Sequence, residues 1–149
     1  MKKELDVKKC YKVMVKTGKK KYRSVYPEGA YALDFEFGKI TRPEIGKIIV
    51  FRHYGYAKVF GYRVSNATPI YIVECLALDL NPLDKLLESI YLDDANIVRE
   101  FWNKKSVKKS LNKYLKDAPA GTYTASAILP YRELLRIPID IEIQRLKAV

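Results

Sequence analysis

Alternation along the chain opens on a two-stranded ribbon. Tyr11, Val13 and Val15 fall on one side of an extended segment and Lys12, Met14 and Lys16 on the other, the period of two that sends successive side chains to opposite faces of a strand. Thr17-Gly18 reads as the turn and Lys21 to Tyr26 as the returning arm, ended by Pro27-Glu28-Gly29. A second alternation sets Tyr31, Leu33, Phe35 and Phe37 against Ala32, Asp34 and Glu36, which predicts a strand with one wet side. Beyond the turn at Arg42 to Gly46, Ile48-Ile49-Val50-Phe51 predicts a short apolar strand. His53 to Val64 predicts a helix with Tyr56, Val59 and Phe60 inward. Ile70 to Leu78 is apolar on both alternating faces, as a strand covered on both sides should be, and Glu74 is its one violation.

The second half changes period. Asn81 as cap and Pro82 in the first turn predict a helix through Leu83, Leu86, Leu87 and Ile90. Asp94 is placed to cap a second helix, with Ile97, Val98, Phe101 and Trp102 inward. Val107, Leu111, Tyr114 and Leu115 form the apolar stripe of a third, with Lys105, Lys109, Lys113 and Lys116 opposite. After Pro119-Ala120-Gly121, Tyr123, Ala125, Ala127 and Leu129 alternate with Thr122, Thr124 and Ser126 as a strand. Pro130 to Arg136 reads as a short helical turn. Ile137, Ile139, Ile141 and Ile143 read as the inner face of a last strand. The expectation is a single α+β domain: a mostly antiparallel sheet of about seven strands, one crossing helix and a three-helix insertion.

Composition narrows the class. A length of 149 residues fits one core, and 48% hydrophobic with 30% charged residues excludes a disordered chain. No apolar run approaches the ~20 residues of a membrane span. The amino terminus Met1 to Asp6 lacks the apolar stretch of a signal peptide, so a cytoplasmic, reducing location is expected. Cys10 and Cys75 lie in strand-like apolar runs and read as buried free thiols. Abundant charge with a single glutamine, Gln144, leans toward a thermophilic host.

Charge changes the picture most. The net charge is +11, but residues 1–23 carry ten Lys/Arg against Glu4 and Asp6, a net of +8. Residues 99–116 carry seven against Glu100, a net of +6, and the rest of the chain nets −3. Residues 74–94 hold six acids against Lys85. The basic ribbon, with Lys12, Lys16, Lys19, Lys20, Lys21 and Arg23 interleaved with Tyr11 and Tyr22, is the strongest candidate for chemistry. Lysines on a ribbon neutralise phosphates, and aromatics on a basic sheet stack on unpaired bases. Lys105, Lys109 and Lys113 extend that set if their helix shares the face.

Other candidates are weaker. The lone histidine, His53, has no nucleophile and orienter nearby in sequence and reads as a helix-start residue. Glu74 must be paired, protonated or facing a cavity, with an ion-pair partner the favoured reading. The Gly-Lys pairs at Gly18, Gly38 and Gly46 have neither the earlier glycine nor the following Ser/Thr of a phosphate loop. Asp93-Asp94 is explained by a cap, and neither a cofactor nor a metal is expected.

The order Tyr11-Lys12-Val13, Arg23-Ser24, Gly46 to Val50-Phe51, Ala57-Lys58-Val59-Phe60, Ile72-Val73-Glu74-Cys75 and Gly121-Thr122 with Pro130 resembles small uncharacterised proteins of phages and archaeal viruses. That resemblance covers most of the chain outside the helices and implies a viral or mobile-element origin; it carries no activity. A fainter likeness is to the ADP-ribosyltransferase fold, through Arg23, then Thr122, Thr124 and Ser126, then Asp140-Ile141-Glu142. Here the Ser/Thr strand ends only sixteen residues before Glu142, and Asp stands where that family has its first Glu. The resulting expectation is a non-enzymatic, nucleic-acid-associated protein, with room for homo-oligomerisation. An ADP-ribosyltransferase-like enzyme and an interaction module built on the acidic helices are the alternatives.

Overall fold

The computed structural model describes residues 6–27, 31–64, 68–103 and 112–149. It is an α+β fold on a mostly antiparallel sheet. The long first strand β1 (Val7–Gly18) organises it. Along one edge β1 pairs with β5 (Ile70–Leu78), from Val7↔Leu78 to Met14↔Tyr71. Along the other it pairs with β2 (Lys21–Ser24) near its end and with β4 (Ile48–Phe51) at Tyr11↔Phe51. β3 (Asp34–Glu36) continues the meander on β2. β4 carries β9 (Thr122–Ala125), which carries β6 (Asn81–Pro82), and β5 carries β10 (Ala127–Ile137).

Only Ser126 separates β9 from β10, so the segment that pairs with β4 on one side runs on to pair with β5 on the other. Ser126 fixes that corner: its N–H donates to Leu78 O at 3.0 Å and its hydroxyl to Asp79 Oδ2 at 2.9 Å. Behind β3, the Gly38 N–H donates to Pro130 O at 2.9 Å and Thr41 bridges Ile128. The sheet thereby curls onto itself, leaving two buried faces. Cys10, Met14, Tyr22, Phe35, Val73 and Cys75 pack in the enclosed interior. Val13, Ile70, Ile72 and Ile137 pack outward under α1 (Tyr54–Val64).

The face of α1 corrects the expectation. Tyr56 and Val59 are exposed, while Ala57 and Gly61, one turn apart, are buried. A Cβ on Gly61 would stand 2.7 Å from Ile137 Cδ1. The helix therefore lies closest to the sheet at its smallest residues; Phe60 packs inward as expected, its ring 5.3 Å from that of Phe51, while Tyr56 and Val59 point away. Hydrophobicity alone cannot show that choice.

The insertion is also rebuilt. Residues 85–87 form β7 (Lys85–Leu87), paired with β8 (Leu115–Asp117), and a 3₁₀ turn follows at Ser89–Tyr91. The cap and leucine spacing at 81–90 favour a helix locally, but partner strands satisfy this backbone, and tertiary pairing overrides propensity. α2 (Ala95–Trp102) forms as expected, with Asp94 accepting from the Asn96 and Ile97 N–H groups at 3.0 and 3.1 Å and with Val98 and Phe101 buried. Of the expected third helix, Leu115 and Lys116 lie in β8, and Lys105, Val107, Lys109 and Leu111 lie outside the described residues. The acidic stretch 74–94 is thus spread over strands, turns and a cap rather than over helices.

Two readings near the carboxyl end are exchanged. Pro130 to Arg136 is strand, not helix: β10 takes a bulge between Pro130 and Arg132, where a residue without an N–H is tolerated. Residues 140–147 are α3 (Asp140–Lys147), not strand. Pro138 interrupts the ladder, and Ile139 O instead accepts from the N–H groups of Glu142 and Ile143 at 3.1 and 3.3 Å.

Candidate nucleic-acid interface and a buried lysine

The ribbon forms, with its turn at Lys19-Lys20 rather than at Thr17-Gly18, which end β1, but it does not present its charges as one face. Lys16 sits 3.2 Å from Glu133, which also accepts the Tyr22 hydroxyl at 2.7 Å. Arg23 pairs with Asp34 at 3.3 Å across β2 and β3. Tyr22 is buried and stacked on Phe37 at 5.2 Å, so it is a core residue and offers no platform for a base. Lys19, Lys20 and Lys21 form the tip. All three are exposed, and Lys20 takes a left-handed φ of 58° in the turn. Lys113 is exposed beside the Tyr114 ring. Lys116 lies 5.9 Å from the ring of Tyr26, beyond the far end of β2.

Lys12 is the main correction. It is only 3% exposed and cannot reach a phosphate on a partner's surface. Cys10, Lys12 and Met14 share strand parity, and both of its neighbours on that face are fully buried. That parity was a signal available in the sequence: a lysine flanked at i−2 and i+2 by residues of core type. Its Nζ donates to Ile49 O at 2.6 Å and to Tyr26 O at 2.9 Å. Burial pulls its pKa down to about 8, partly offset by the adjacent Cys75 and Cys10. Cys10 and Cys75 are free, buried and directly opposite on β1 and β5, and burial pushes the Cys75 thiol up.

Lys12 also lines a cavity of about 650 Å³. Its apolar walls include Val13, Val25, Phe51, Phe60 and Leu86. Arg63, Lys116 and Asp117, all exposed, belong to its lining, and Asp117 is ion-paired with Lys85.

The remaining candidates resolve structurally. Glu74 accepts the Tyr131 hydroxyl at 2.5 Å and the Arg132 guanidinium at 3.3 Å. The tyrosine hydrogen bond first, then Arg132, holds its carboxyl below the usual range against the opposing effect of burial. His53 is exposed at the start of α1. Three residues behind the ADP-ribosyltransferase likeness each have a partner of their own. Arg23 is engaged by Asp34, Ser126 by Asp79, and Glu142 by Arg136 at 2.9 Å on a helix where that family needs a strand.

Fold and site together define a basic antiparallel α+β protein with a cationic hairpin tip and a lysine-floored cavity. No protein-family model, curated protein or solved structure matches the chain. Among the described residues, no helix is long and apolar enough to cross a membrane.

Proposed function

We propose that the protein binds nucleic acid through the β1–β2 hairpin tip, by contact with the phosphate backbone and without catalysis. The observation that carries this reading is the exposed run Lys19-Lys20-Lys21, whose neighbours Lys16 and Arg23 are already held by Glu133 and Asp34. Three consecutive cations on a protruding turn suit a phosphate backbone, and the net charge of +11 draws a polyanion from any direction. The burial of Tyr22 argues against base stacking by this ribbon, so the binding should be blind to sequence.

The test is binding to a short duplex and a short single strand across a salt series. Three phosphate contacts give a log–log slope of roughly −2.7 on duplex and about −2.1 on single strands. Replacing Lys19, Lys20 and Lys21 together by Ala should weaken binding and flatten the slope toward zero. Absence of binding to either form at low salt, or an unchanged slope in the triple variant, removes the hairpin from the role.

A further inference from the structure

The Lys12 cavity is independent of the hairpin and has a chemistry of its own. An ammonium carries three N–H donors, and among the described residues Lys12 has two protein acceptors, both backbone carbonyls. No carboxylate pairs with Lys12 among the described residues. Among the described residues of the lining, the other cations, Arg63 and Lys116, add positive charge, while the one acid, Asp117, is engaged by Lys85. Around this charge the walls are aliphatic and aromatic. A cavity of this volume falls in the range of small-molecule sites, which pair apolar walls with a few placed polar groups.

We propose that this cavity binds a small amphipathic carboxylate, its head on the third N–H of Lys12 and its alkyl or aryl body against Val13, Phe51 and Phe60. One free donor suits a singly charged carboxylate. A phosphate, with more charge and three acceptor oxygens, needs several donors at the same point. A neutral alcohol fills the walls but leaves the ammonium without a counter-charge, and an amine places like charges together.

Binding is linked to protons. The free lysine titrates near pH 8 because of its burial. The carboxylate requires the ammonium, so affinity should fall as pH rises from about 7 to about 9, by up to about tenfold. Among the described residues, the titratable groups beside Lys12 are Cys10 on β1 and Cys75 on β5, and Tyr26, Arg63, Lys116 and Asp117 line the cavity. Burial raises the Cys75 thiol and the Tyr26 phenol, which keeps both neutral over that interval.

Calorimetry with octanoate, octanol and octylamine on the full chain tests the proposal. Octanoate should bind one to one, at least tenfold tighter than either analogue at pH 7, and should lose that advantage at pH 9. Lys12→Met should bring octanoate down to the level of octanol. Should that variant not fold, the three-ligand comparison and the pH series on the native chain decide the matter alone. Equal binding of octanol and octanoate, a pH-independent octanoate affinity, or a folded Lys12→Met protein that keeps it would each overturn the proposal.

Discussion

Lys12 buries a charge against the carbonyls of Ile49 and Tyr26, and the stability of the protein should record it. Its folded pKa of about 8 lies below its ordinary 10.5. Between those values the unfolded chain holds a proton that the folded chain has released, so stability rises with pH through that window. Below pH 8 both states are protonated and the burial penalty is fully present. The shift corresponds to on the order of 3 kcal/mol. Cys75 acts in the opposite sense, since the unfolded thiol ionises above pH ~8.5 while the buried one does not. Urea denaturation of the native chain and of Lys12→Met at about pH 7.5 and about pH 10 separates the two. The native chain should gain on the variant by on the order of 3 kcal/mol across that interval, and a gap that does not move with pH would contradict a buried ammonium. Glu74 shows the other solution to burying charge: the violation was legible in the apolar run, but its partners Tyr131 and Arg132 come from β10, a segment whose alternation reads as helix.

Elements with one strong periodic face were legible: the two arms of the hairpin, though not its turn, and β4, β5, α2 and the start of β9 fall where alternation or capping puts them. Those that depend on a distant partner were not, because β7 exists only against β8 and β6 only against β9. The docking of α2 turns on one backbone position. Gly46 has φ +72°, and a Cβ there would lie 2.3 Å from the ring of Trp102 on α2. Left-handed strain in a residue with a side chain costs about 1–3 kcal/mol, and the ring must also move. Gly46→Ala should therefore destabilise the protein by about 2 kcal/mol or more. Trp102 is the sole tryptophan, so the same variant should change its fluorescence in the folded state. A variant of native stability and unchanged emission would mean that the ring does not rest on this turn.

For the whole molecule, the balance of charge sets a prediction about salt. Six of the seven ion pairs among the described residues join partly or largely exposed side chains, and such pairs contribute at most about 1 kcal/mol each. Against them stands a surplus of eleven positive charges on one small fold. Screening weakens both terms, but the unbalanced repulsion is the larger, so raising salt from about 20 mM to about 300 mM should stabilise the fold by ~1 kcal/mol. A urea midpoint that falls with added salt would show that the surface pairs dominate instead. The sequence by itself determined the α+β class, the antiparallel hairpin, the buried central strand and the excess of positive charge, because each follows from local periodicity or from a sum over residues. Only the tertiary structure decided which of the charges are free. Whether Lys12 faces a phosphate or a cavity, and whether Lys16 and Arg23 are available or already paired, depends on Tyr26, Ile49, Asp34 and Glu133, which reach them from other strands and turns. Periodicity fixes the side of a strand on which a lysine lies; whether that side is dry is settled when the sheet curls and its strands meet.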